Sequence, residues 1–342
     1  MNLRKLSTRS ILVLLGCSLS LHAQEFTKAG TAAGQFLKIP VGAKAMSMAS
    51  TFTSIADDIS ALYWNPAGAV SLDRFEIGVT HTSWLAGINH NFLGLALPMG
   101  NNGIVGFAVD QLSSGDIETT TIESPKGTGT YYSAADLAIS VSYARAIMDR
   151  VNIGVTAKYI SQRIANTSAQ TVGFDLGFLL RTDFYGAKLG LAFQNFGPAL
   201  QMSGSDLIRT VDQDPASEIN PVIEADLKTQ SYALPASFRV SLSMPVVGSD
   251  GVVPSTSSTF IVSIDGIHLS DNPEHYSIGA EYGFFQTIFL RGGYIFNTDE
   301  EGLTLGGGVN VSLGASVVTF DYAYASFGVF TAVNVFSLGI RM

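Results

Sequence analysis

The sequence predicts an all-β fold: a 14-stranded antiparallel transmembrane outer-membrane β-barrel with a small N-terminal helical plug, or hatch, in its lumen. Three observations predict it. The chain begins with an export signal, its body is apolar and poor in charge, and that body alternates apolar with polar residues while offering no spanning helix.

Residues 1–23 read as a signal peptide. Arg4, Lys5 and Arg9 supply a basic start, "ILVLLGCSLSL" (11–21) is the apolar stretch, and "LHA" (21–23) ends in a small residue, which places cleavage after Ala23. The alternative is a lipoprotein site at "LLGC" (14–17) with Cys17 lipidated; its apolar stretch, Ile11 to Leu15, is short against the usual ~7–15 residues. Cys17 is the only cysteine, so after cleavage at Ala23 no disulfide staples the fold.

The formal net charge is −9, and loss of the basic signal makes it more negative, so nucleic-acid phosphates are excluded as a partner. The chain is 46% hydrophobic and only 14% charged. Charged residues make up about a quarter of a soluble domain, so an ordinary secreted globule is a poor fit. The longest later uncharged run, "GLTLGGGVNVSLGASVVTF" (302–320), interleaves glycine, threonine, asparagine and serine and alternates instead of clustering its apolar residues. Only helices and closed barrels satisfy every backbone group in lipid, which leaves the barrel.

Period-two alternation then places the elements of the 75–342 barrel. Phe336, Leu338, Ile340 and Met342 alternate with Ser337, Gly339 and Arg341, and Val172, Phe174, Leu176 and Phe178 alternate with Thr171 and Asp175. Phe238, Val240, Leu242 and Met244 alternate with Ser237, Arg239, Ser241 and Ser243. End to end, strands are expected at 75–83, 90–98, 104–112, 133–146, 150–165, 169–181, 186–196, 235–245, 258–268, 274–283, 287–296, 303–312, 315–325 and 332–342. With both ends periplasmic, the two longest gaps, 113–132 and 197–234, fall on the outer side, where long loops belong. Most inner turns are short, such as "MDR" (148–150); "VVGSDGVVPSTSS" (246–258) is the exception. A soluble β-sandwich also alternates, but it hides its apolar face and carries more charge outside.

This register points ten charged residues inward: Glu76, Asp136, Lys158, Asp175, Lys188, Arg239, Asp265, Glu281, Arg291 and Asp321. Buried charges persist when paired, so a lumen network of ion pairs is the plain reading and a substrate track the sharper one. Catalysis finds no footing: G-x-S-x-G, H-E-x-x-H, C-x-x-C and phosphate-loop patterns are all missing, and no enzyme, cofactor or metal is expected. His81, Trp84 and His90 are placed on one outer rim, without a third ligand or a nucleophile at fitting spacing.

Ahead of the barrel, 24–74 is expected to form the plug. In "ALYWNPAG" (61–68) a short helical run, Ala61 to Trp64, must stop at Asn65 because Pro66 disfavours helix at the residue before it. Asp57-Asp58 suits the start of that helix, where exposed N–H groups favour negative charge.

The block 29–72, and within it "AGQFLKIPVGAKAMSMA" (33–49), "ADD" (56–58) and "ALYWNPAG" (61–68), resembles the N-terminal signature of the PorV/PorQ family, part of the wider group of FadL-like barrels. The resemblance implies a fourteen-stranded barrel with a lumenal hatch. In it Asn65, Pro66 and Ala67 form the turn, Tyr63 and Trp64 pack it against the lumen wall, and Gly68 belongs to the same hatch. The alternation, with no other membrane solution open to the chain, leads to the expectation of a monomeric barrel embedded in outer-membrane lipid of a Gram-negative bacterium. By the resemblance, its expected role is a non-catalytic interaction component of type IX secretion, a cargo shuttle or attachment-complex member. Partners would then be the translocon, cargo C-terminal domains or attachment-complex proteins. The alternative is FadL-like transport of hydrophobic small molecules. The chain departs from typical PorV in ending "LGIRM" without an aromatic residue, and its long outer loop is acidic (Asp206, Asp212, Asp214, Glu218, Glu224, Asp226).

Overall fold

A computed structural model describes residues 29–212, 222–330 and 332–342; the expected export signal with Cys17, and Asp214 and Glu218 of the acidic loop, lie outside them. Fourteen long strands form the wall: β1 (Glu76–Ser83), β2 (Asn89–Pro98), β3 (Ile104–Glu118), β4 (Tyr131–Met148), β5 (Val151–Ile164), β6 (Thr167–Arg181) and β7 (Lys188–Phe196) in the first half. The second half comprises β8 (Ser237–Gly248), β9 (Ser258–Leu269), β10 (His275–Phe284), β11 (Ile288–Phe296), β12 (Glu301–Leu313), β13 (Ser316–Phe327) and β14 (Ala332–Arg341). Each strand pairs antiparallel with its sequence neighbours. Among these, β7 pairs with β8 across the long outer connection, from Gln194↔Ser237 to Lys188↔Ser243, and one further pairing closes the ring, β1 with β14 from Glu76↔Arg341 to Ser83↔Asn334. The result is a closed 14-stranded barrel with no free edge.

Sidedness follows the alternation. Along β5, Asn152, Thr156, Lys158 and Ile160 are buried while Ile153, Val155 and Tyr159 are exposed. Phe174, Leu242, Leu290 and Phe320 are each at least half exposed on the outer wall, the reverse of a soluble core. Such a continuous apolar exterior requires lipid as its solvent. Among the described residues no helix is long and apolar enough to cross a membrane.

Strand boundaries differ most from expectation where the wall leaves the apolar belt. The third strand, expected to end at 112, continues to Glu118, and β4 starts at Tyr131, with a register shift between Ser113 and Asp116. Both faces there meet water, so hydrogen bonding continues after alternation has ceased. The long 246–258 turn is partly strand: β8 runs to Gly248, and Val253-Pro254 folds back parallel to Val247-Gly248. In the outer 197–236 connection, Ile208–Val211 pairs with Ile223–Asp226 as a small antiparallel excursion.

Candidate functional site: the barrel lumen

Fourteen strands enclose a lumen too wide for wall side chains alone to fill. Residues 35–72 occupy it. Two short helices, α1 (Ala43–Ser47) and α2 (Ala61–Trp64), and two 3-10 turns, Gln35–Lys38 and Pro66–Ser71, carry its apolar groups. Val41, Met48, Phe52, Leu62, Trp64 and Leu72 are fully buried, so the largest apolar core of this protein lies inside the barrel and not between sheets.

The expected turn is built by side-chain capping. Asn65 takes an extended backbone (φ −159°), its Oδ1 accepts from Ala67 N at 3.1 Å, and its Nδ2 donates to Thr53 O at 2.8 Å and, on the wall, Phe178 O at 3.2 Å. Gly68 N closes the turn onto Asn65 O at 2.8 Å. A Cβ at Gly68 would lie 2.3 Å from Ala56 O, so the position admits no side chain. Tyr63 and Trp64 act mainly within the segment. Tyr63 Oη donates to Leu37 O at 3.0 Å, Trp64 Nε1 donates to Val41 O at 2.7 Å, and the two rings meet edge-on at 5.1 Å. Wall contact at Trp64 comes from Arg239, whose guanidinium carbon lies 4.8 Å from the indole centre.

The wall receives the segment on glycines. Built Cβ atoms at Gly78 and Gly94 would fall 2.6 Å from Ile59 side-chain atoms, and one at Gly106 would fall 2.3 Å from Leu62 Cδ2. Gly154 and Gly177 face Asn65, Pro66 and Ala67; Gly190 faces Thr53; Gly279 and Gly293 face Met48 and its neighbours; Gly306 faces Ser47. Close approach of two backbones is what glycine in a strand permits. Much of the unusual glycine content is therefore a seat for this segment.

Charged groups form three clusters inside the wall. Glu281 accepts from Arg291 Nε at 2.5 Å, Arg291 Nη1 reaches Asp321 at 2.6 Å, and Lys44 of the segment lies 3.8 Å from Glu281 and 2.8 Å from Asp57. Glu76 accepts from Arg341 Nε at 2.8 Å and from Ile59 N at 3.1 Å. Lys158 pairs with Asp175 at 2.7 Å and donates to Asn195 at 2.9 Å. Of the remaining expected lumen charges, Asp265 accepts from Ser241 and from Thr53 N, Asp136 accepts from Gln162, and Lys188 sits half-buried opposite Ser243. Arg239 donates its Nε to Gln194 Oε1 at 3.2 Å.

Asp57 and Asp58 differ from their expected role. The helix cap is Ser60, without a side-chain capping bond; Asp57 is an ion-pair partner, and Asp58 accepts from Ser60 N and Ser60 Oγ. Burial works against the Lys44 ammonium, but Asp57 and Glu281 outweigh it and hold its pKa above the ordinary lysine value. Burial opposes the Asp57 carboxylate too, yet Lys44 holds its pKa below the ordinary value. Asp58 makes no ion pair among the described residues; burial outweighs the pull of Lys44 and, reinforced by Asp57, pushes it up to about 6.

Sequence reasoning missed Lys44, Arg341 and the buried pair His90 and Asp110, whose nearest atoms are 2.5 Å apart. The parity that placed the other lumen charges also points His90, Asp110 and Arg341 inward, so the signal was present. His81 instead faces outward and bonds Asn91, which separates it from His90 by the wall itself. Among the described residues no cluster of metal-ligating groups occurs. Two cavities flank the segment. One of about 530 Å³ at the outer end includes Arg239, Leu85, Phe327, Phe330 and Glu301; one of about 330 Å³ at the inner end includes Lys44, Asp58, Glu76 and Arg291.

Solved structures share this fold. The CymD monoaromatic hydrocarbon channel aligns with 88% of this chain and 97% of its own at 13% identity, with a TM-score of 0.56. The toluene transporter TbuX of Ralstonia pickettii aligns over 88% and 98% at 13% identity (TM-score 0.52). A FadL homologue of Pseudomonas aeruginosa aligns over 88% and 98% at 13% identity (TM-score 0.50). The fold is that of the FadL-like outer-membrane barrels. A family model described as "Uncharacterised protein family (UPF0164)" matches residues 16–171. Comparison with curated proteins gave no match.

Proposed function

We propose that this protein is a Gram-negative outer-membrane channel of FadL type, a monomeric barrel that takes up small, largely apolar molecules past an N-terminal hatch. The observation that carries the reading is the lumen: a closed barrel with cavities at both ends and one chain segment between them. A barrel that served only as a membrane anchor would need no outer cavity lined by Phe327, Phe330 and Leu85. The likeness to channels named for toluene and monoaromatic hydrocarbons supports the same reading. On it, the 24–74 segment is the hatch, Asn65, Pro66, Ala67 and Gly68 its turn, and Tyr63 and Trp64 its rigid interior. The test is uptake of radiolabelled toluene by Gram-negative cells with an intact lipopolysaccharide layer, with and without the protein in their outer membrane. Faster uptake with the protein is expected; equal rates overturn the reading.

A second reading, a docking component of type IX secretion, is favoured by the 33–68 block and by the acidic outer loop. It expects translocon, cargo C-terminal domains or attachment-complex proteins to crosslink to the barrel in its native membrane. Recovery of none of them removes it.

A further inference from the structure

The outer cavity contains a cation with no carboxylate within ion-pair distance among the described residues, although Asp265 and Glu301 lie near enough for their charges to act on it. Lys158, Arg291 and Lys44 each lie within ion-pair distance of a carboxylate. Arg239, only 8% exposed, does not: among the described residues its Nε bonds the neutral Gln194 and its face lies over Trp64, while its terminal nitrogens have no acceptor. Gln194 is itself fixed, donating to Tyr63 O and accepting from Ser237 Oγ, so it sets the direction of the guanidinium. A buried cation without an anion is costly, and this one borders a cavity of about 530 Å³.

The rest of the cavity restricts what can satisfy Arg239. Lys38 is neutralised by Asp271 at 2.9 Å. Toward solvent stand Asp299, Glu300 and Glu301; Glu301 is half-buried, and its carboxylate has no ion-pair partner among the described residues. The same cavity is lined by the apolar groups Leu85, Phe327 and Phe330 as well as by His275, Asn297 and Thr298. A neutral hydrocarbon would seal Arg239 away from water unpaired. A simple anion would meet three carboxylates on the way in. A molecule with an anionic end, a cationic end and an apolar body answers all three features.

We propose that the outer cavity binds a compact zwitterion with an apolar body, its carboxylate on the terminal nitrogens of Arg239 and its ammonium toward Glu301. The inference rests on the uptake reading for its purpose, and it adds to the apolar cargo a class of amphiphilic molecules that the outer cavity holds more tightly. Arg239 is the recognition residue, and Gln194 is a positioning residue that acts through it.

Four probes sharing one phenylethyl frame test it on the full-length protein purified in detergent: L-phenylalanine, 3-phenylpropionate, 2-phenylethylamine and ethylbenzene. Calorimetry gives affinity, and indole fluorescence reports Trp64, on which Arg239 stacks, together with Trp84, which packs on Phe327 of the cavity, so Trp84→Phe isolates the Trp64 signal. L-Phenylalanine is expected to bind and change the fluorescence, with the other three at least about ten-fold weaker, the loss of one charge-assisted contact. Arg239→Gln and Glu301→Gln are each expected to weaken L-phenylalanine by at least about ten-fold. Should Arg239→Gln fail to assemble, Glu301→Gln alone decides, since Glu301 is the first residue of β12 and only half-buried. Equal binding of any comparison probe, no binding of L-phenylalanine, or an unchanged affinity in Glu301→Gln overturns the proposal. Toluene uptake by cells separates the two readings. Uptake without L-phenylalanine binding removes the site and keeps the channel; binding without uptake of any probe removes the channel and keeps the site.

Discussion

Gly177 on β6 shows how narrowly single residues determine what the lumen holds. A Cβ there would fall 2.2 Å from Asn65 Oδ1 and 2.8 Å from Ala67 N. Gly177→Ala should therefore weaken docking of the segment by about 1–3 kcal/mol, the usual cost of overpacking. Faster amide exchange at Asn65, Ala67 and Gly68 with an intact barrel is the expected result. Gly339→Ala is the control, because its nearest neighbour would be Thr319 Cβ at 3.9 Å, ordinary contact. A second residue-scale prediction concerns pH. Asp58, raised from 3.8 to about 6, favours its protonated form when docked, so docking should tighten as pH falls from 7 through 6 toward 4. Asp57 has the opposite sign: its lowered pKa contributes stability above the ordinary value of 3.8, and that contribution is lost at lower pH. Protection of the segment from protease should thus peak between about pH 4 and 6. Asp58→Asn, which keeps an oxygen for Ser60, should tighten docking at pH 7 and flatten the slope above pH 4. An unchanged slope would assign the titration elsewhere.

At the scale of the element, the α2 helix and its turn are short and held by tertiary contacts more than by helix propensity. Tyr63 and Trp64 hydrogen-bond Leu37 and Val41, so these rings bind the segment's two ends together. Truncating a buried aromatic to alanine typically costs about 3–5 kcal/mol. Tyr63→Ala with Trp64→Ala should therefore loosen the segment and raise single-channel conductance in planar bilayers while the barrel assembles normally. Conductance equal to that of a closed parent would show that these rings do not seal the pore. Failure to assemble would make the segment part of the folding core.

At the scale of the whole molecule, stability resides in the closed ring of strand pairs, which leaves no backbone edge in lipid. The protein should fractionate with outer membranes and show heat-modifiable gel migration after detergent extraction. Recovery from the soluble periplasmic fraction would exclude the barrel in lipid. Variants that loosen the lumen, Gly177→Ala included, should keep the heat-modifiable form, since their lost contacts are not those of the wall.

The wall was legible from local pattern. Alternation is a property of neighbouring residues along one strand, and in a lipid-facing strand every step carries it, so the existence of all fourteen strands and the sidedness of Phe174 or Asp175 needed no partner to be known. The strand ends were less legible, as at Glu118, because water on both faces removes the pattern while pairing continues. The proline-stopped turn at Asn65-Pro66 was local in the same way. Only the tertiary structure decided what meets inside. Asn65 and Phe178 are 113 residues apart, and Lys38 and Asp271 are 233 apart. Which glycine receives which residue, which carboxylate pairs with which cation and why Arg239 has none depend on the stagger of fourteen strands and on a segment threaded through them. No periodic pattern records those distances, because they are set by closure of the ring, to which every strand contributes.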